Sequence, residues 1–159
     1  MAAWPPRYAA VNPVSTVPGC SATSTPGATL RARGDGSGDG GFVEFSAAKK
    51  VTLDGLVLDA GTDSGASGQA YVDPDDVEVV SELVVTSGTD HTIEANVSVT
   101  VAENVTISTR QTGAATNAQG EKLSTGNSGN LTIKAPSITV GAGAVLDASA
   151  INANGSTWQ

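Results

Sequence analysis

The stretch His91 to Arg110, HTIEANVSVTVAENVTISTR, decides the fold. Its apolar residues fall at every second position and in short bursts: Ile93 with Ala95, Val99 with Val101, and Val105 with Ile107. Alternation of this kind puts one set of side chains on one face of an extended strand. The last two bursts are divided by Glu103 and Asn104, residues suited to a corner. Twenty residues therefore read as three short strands and two corners, with no helical period.

Working outward, the same arithmetic recurs on both sides. In Gly40 to Gly61 the inward pairs are Val43 and Phe45, Val51 and Leu53, and Leu56 and Leu58. In Gly129 to Ala150 they are Leu131 and Ile133, Ile138 and Val140, and Ala144 and Leu146. A looser copy lies between, where Val77 and Val79, then Leu83 and Val85, follow a corner at Asp73 to Asp76. Units of roughly 20 to 25 residues, each too small to bury its own apolar face, predict a solenoid in which neighbours complete the core. Three strands per unit predict an all-β parallel β-helix over residues 42–159. The run Thr109 to Ser128 lacks the alternation and is expected to leave the stack as a loop, the place where a solenoid carries specificity.

Composition agrees. Only 4% of the 159 residues are aromatic, so a core must be built from small and β-branched side chains, which suit a thin stack better than a globule. Sixteen acidic against eight basic residues give a formal charge of −8, which repels phosphate backbones and anionic membrane surfaces and excludes nucleic acid as a partner. The single cysteine, Cys20, excludes an intramolecular disulfide and any multi-cysteine metal site. No stretch approaches the ~20 apolar residues that span a bilayer, and no charged start leads into an apolar run like that of a signal peptide. Membrane insertion is not expected.

Residues Met1 to Gly41 hold five of the seven prolines and show no apolar period, so they read as an irregular tail. The tail reads as a natural linker or as the product of a reading frame that opens inside a longer gene, and the abrupt change at Phe42 favours the second.

The phrases GGFVEFSAAKKVTLDG (Gly40 to Gly55), YVDPDDVEVV (Tyr71 to Val80) and GNLTIKAPSITVGAGAVLDASA (Gly129 to Ala150) resemble the repeat region of filamentous haemagglutinin-like exoproteins and the related high-molecular-weight adhesins. These are the passengers of two-partner secretion, and the resemblance covers about Gly40 to Gln159. It implies a right-handed β-helix, export through a dedicated outer-membrane transporter, display at the bacterial surface, and adhesion to receptors or glycans on host or bacterial cells. It implies no cofactor and no catalytic residue.

Several motifs carry a functional and a plainer reading. Arg33-Gly34-Asp35 matches an integrin-type tripeptide in a Gly-rich run. Coincidence is the stronger reading, and the tripeptide stands as the one candidate cell-binding site. The run Gly34 to Gly41, GDGSGDGG, loosely matches a calcium-binding nonapeptide, but a single imperfect copy reads as a linker and no metal site is assigned. Asp73, Asp75 and Asp76 bunch three carboxylates where a polysaccharide-cleaving β-helix enzyme would place acid/base groups. Asp-Pro and Asp-Asp also favour turns through local hydrogen bonds, and that is the reading taken. The alternative function is accordingly a fragment of a carbohydrate-active lyase or hydrolase. His91, beside Asp90 at a strand start, is expected at an exposed corner. Asn96, Asn104, Asn130 and Asn154 each begin a glycosylation sequon, with the left-handed corner residue as the structural alternative.

Overall fold

A computed structural model describes residues 10–11, 19–35, 38–62, 66–85, 88–110, 112–116, 122–124, 128–151 and 157–158. Its strands come in triplets, here called rungs. The first is β1 (Ala10–Val11), β2 (Ser21–Thr23) and β3 (Thr29–Arg31); the second is β4 (Phe42–Glu44), β5 (Lys50–Leu53) and β6 (Val57–Asp59). The third is β7 (Gln69–Val72), β8 (Asp76–Val79) and β9 (Leu83–Val85), and the fourth β10 (Asp90–Glu94), β11 (Ser98–Val101) and β12 (Thr106–Ser108). A pair, β13 (Thr112–Thr116) and β14 (Lys122–Ser124), precedes the fifth rung, β15 (Leu131–Lys134), β16 (Ser137–Val140) and β17 (Val145–Asp147); β18 (Ala150–Ile151) and β19 (Thr157–Trp158) follow. No described residue is helical, so none crosses a membrane as a helix.

First, second and third strands of successive rungs stack into three five-stranded sheets, β1-β4-β7-β10-β15, β2-β5-β8-β11-β16 and β3-β6-β9-β12-β17. Every pairing between rungs is parallel. The fold is thus all-β with parallel strands in stacked sheets, consistent with a parallel β-helix.

Strand pairing lines up like residues. In the second sheet Ala22, Val51, Val77, Val99 and Ile138 form one inward row, and Leu53, Val79, Val101 and Val140 another. Each row is apolar because only inward positions escape water, and fully burying a Val or Leu is worth about 1.5–3 kcal/mol. Val51, Leu53, Val79, Val99 and Ile107 are all 0% exposed. Phe45, one residue past β4, packs half-buried against this core.

The fifth rung differs. Ile138 and Val140 are each 47% exposed and Leu146 45%, although they continue the same inward rows. Among the described residues they have a rung on one side only, so about half of each meets solvent.

Corners are made by backbone geometry. Asn104 takes a left-handed conformation with φ of 59°, rare for a residue with a Cβ, while Gly143 occupies the next corner along with φ of 72°. Asn104 Oδ1 comes close to where a Cβ on Gly143 would sit, and the left-handed φ of Gly143 itself favours a glycine there.

The stretch read as an irregular tail is partly ordered. β2 and β3 add to the edges of β5 and β6, with Ala22 opposite Val51 and Leu30 opposite Leu58. Each strand offers a single apolar inward residue, too little for a visible period; the waiting edge of the next rung supplies the pairing instead. The excursion expected at Thr109 to Ser128 contains an antiparallel pair, β13 with β14. Its two ends are tied, since Gly129 N donates to Thr109 O (3.1 Å) and Thr109 Oγ1 to Gly129 O (2.7 Å).

Ile107→Ala should therefore cost about 2–5 kcal/mol, the range for emptying a fully packed site. Ile138→Ala should cost less than half as much, because its side chain is already half in water. Urea unfolding of the two variants checks the contrast, and equal losses would mean that the fifth rung is covered in solution.

Candidate functional site

The acidic corner is the first place to look for chemistry. Here Lys49 Nζ donates to Asp75 Oδ2 at 2.8 Å and Asn96 Nδ2 to Asp75 Oδ1 at 3.4 Å, while Ser98 Oγ donates to Asp76 Oδ1 at 2.6 Å. Asp73 N donates to Ser46 Oγ at 3.1 Å. The corner's carbonyls are engaged too, Pro74 O by Asn96 N and Asp75 O by Val97 N and Ser98 N. The hydrogen bond from Lys49 holds the Asp75 carboxyl below its ordinary range and in turn raises Lys49. Burial, helped by nearby Glu94, pushes Asp73 up. The carboxylates of Asp75 and Asp76 bind neighbouring rungs together.

A second arrangement lies beside a recess of about 710 Å³ against β7, β10 and β15, lined by Tyr71, Asp90, Thr92, Glu94 and Lys134 among others. The Tyr71 hydroxyl donates to Glu94 Oε2 at 3.0 Å, and Lys134 Nζ approaches the same oxygen at 3.4 Å. Asp90 Oδ1 accepts from both Asn130 N (2.8 Å) and Asn130 Nδ2 (3.1 Å). Burial first, and the bond to Glu94 second, push the Tyr71 phenol up to about 12. A phenol so held keeps its proton at neutral pH, and a carboxylate with two donors is a poor base.

The Arg33-Gly34-Asp35 tripeptide is tied at two of its three residues. Arg33 Nη1 lies 3.3 Å from Asp59 Oδ1, and Gly34 N donates to Gly61 O at 3.0 Å. Asp59 also pairs with Arg31 at 3.2 Å. Asp35 is exposed, and its carbonyl accepts from Gly38 N. Free display of the arginine, which receptor recognition of such a tripeptide needs, requires breaking the pair with Asp59.

His91 corrects its expectation outright: it is 0% exposed. Its parity with Ile93 on β10 points it inward, a signal present in the sequence but overridden by its place at a strand start beside Asp90. Among the sequons, Asn96, Asn104 and Asn130 are exposed, Asn104 being the left-handed corner; Asn154 lies outside the described residues. No group of three or more metal-ligating side chains occurs among the described residues.

Compared with known protein families, with curated proteins and with solved structures, the chain matches none.

The Tyr71 environment makes its own test. In an alkaline titration followed by phenolate absorbance, the part lost in Tyr71→Phe should titrate near 12. Glu94→Gln should lower that value only partway, because burial is the larger cause. Titration near 10, the ordinary tyrosine value, would show that the ring is open to water.

Proposed function

We propose that the chain is a right-handed parallel β-helix segment of a large bacterial surface exoprotein of the filamentous haemagglutinin-like type, with a structural and adhesive role and no catalytic residue. The observation that carries this reading is the register: three sheets grow by the same parallel step, rung upon rung, which is how a long rod is built from short units. The bonded state of Asp75 and Asp76 supports the absence of catalysis. Export of the parent protein by an outer-membrane transporter, and display where surface receptors or glycans are met, complete the reading; both come from the resemblance of Gly40 to Gln159 to that family.

The direct test is adhesion. Beads coated with the chain should bind host or bacterial cells above beads carrying a protein of matched charge, while polygalacturonate and related polymers should not be cleaved. Absence of binding overturns the adhesive part. Turnover abolished by Asp75→Ala would replace the whole reading with a polysaccharide-cleaving enzyme.

A structural role makes a second prediction. The chain should associate as its concentration rises, because β15, β16 and β17 present edges unpaired among the described residues, with half-exposed apolar rows. Sedimentation should show that Ile138→Lys with Leu146→Lys reduces the association. A wild-type chain that stays monomeric at high concentration would show that its end closes on itself.

A further inference from the structure

His91 is the only histidine of the chain and stands where the rows are otherwise apolar. It shares an inward row with Val43, Ala70 and Leu131. Its Nδ1 lies 3.1 Å from Ala70 O. A carbonyl only accepts, so this contact places the proton of the neutral ring on Nδ1 and leaves Nε2 as the bare acceptor. Nε2 is buried and has no hydrogen-bond partner among the described residues. The ring is therefore satisfied on one side and tolerated on the other, as long as it carries no charge.

Although His91 also lines the recess against β7, β10 and β15, neither ring nitrogen is bonded to a carboxylate among the described residues. Tyr71 on β7, Asp90 and Glu94 on β10, and Lys134 on β15 occupy the alternate positions, whose side chains leave the opposite face of the sheet. The second and third sheets turn Val77, Val79, Val99, Val101, Leu83, Val85 and Ile107 inward. Thr89 and Thr109 are the buried polar residues nearest in sequence; Thr109 is committed to Gly129 and Thr89 Oγ1 receives Ala60 N. Arg110, the next residue, is paired with Asp147 at 3.5 Å.

We propose that His91 is an acid-sensitive latch between the fourth and fifth rungs: the neutral ring lets them close, and protonation of Nε2 forces them apart. Protonation would create a buried N–H without an acceptor and a cation in an apolar interior, both of which are relieved only by water. Water has its easiest entry from the side of the fifth rung, whose apolar rows are already half exposed. The links to be released are His91 N to Asn130 O (2.8 Å) and the Thr109–Gly129 tie that closes the excursion. The device stands on this geometry alone and does not depend on the adhesive reading.

Burial pushes the His91 ring down to about 4, partly opposed by the contact with Ala70. The unfolded chain binds a proton below about 6.5 while the folded chain does not. The stabilising contribution is thus complete above 6.5, is lost as pH falls from there to about 4, and changes no further below.

With a single histidine the ring proton resonance can be followed without ambiguity. In the folded wild-type chain it should stay neutral through pH 6 and titrate near 4, together with loss of amide protection in β15, β16 and β17 ahead of β5 and β8. Between pH 7 and 4 the folding equilibrium constant should fall on the order of a hundredfold more in wild type than in His91→Leu, which shares every carboxylate. Titration near 6.5 in the folded state, protection lost first elsewhere, or identical pH profiles for the two chains would each overturn the latch. Should His91→Leu fail to fold, the resonance and the exchange measurements on the wild-type chain decide alone.

Discussion

Parallel backbone pairing between rungs is the constraint on which everything else depends. A rung of three short strands has no core of its own. It acquires one only when the strand above and the strand below hold its inward side chains in line, as Ala22, Val51, Val77, Val99 and Ile138 are held. That demand fits the composition: an interior this thin is filled by valines, leucines, isoleucines and alanines. It also explains the corners, where Asn104 and Gly143 must superpose as the chain turns.

Register is protected by charge as well as by burial. Lys50 meets Glu78 at 2.8 Å, Lys49 meets Asp75 at 2.8 Å, and Lys134 meets Glu94 at 3.4 Å, each pair spanning two rungs. Exposed pairs of this kind contribute about 0–1 kcal/mol, far less than a buried valine. Their value lies in discrimination. A one-residue slip would turn the apolar rows outward and separate the partners at once.

The same constraint reassigns residues that look functional in isolation. Carboxylates of the Asp73 to Asp76 corner become ties between rungs, and Arg33 becomes a partner of Asp59. His91, a residue with obvious chemistry, becomes an interior residue whose chemistry is suppressed by burial. On the outward face of β7, β10 and β15, Tyr71, Glu94 and Lys134 form one bonded line.

Inward pairs of the second, fourth and fifth rungs, and those of β8 and β9 in the third, were legible in the sequence, because alternation and turn residues are local properties that each segment carries by itself; β7, with inward Ala70 and Val72, was not read. The place of His91 was legible too, in its parity with Ile93, but a local cue at the strand start pointed the other way. Only the tertiary structure decided that β2 and β3 join the stack, since one apolar residue per strand makes no pattern until a neighbouring edge pairs with it. The tertiary structure alone also decided which charges meet, because partners such as Arg110 and Asp147 stand 37 residues apart and come together only when the rungs align. Exposure of Ile138, Val140 and Leu146 belongs to the same class: their local pattern equals that of Val99, Val101 and Ile107, and only the presence or absence of a next rung separates a core from a surface.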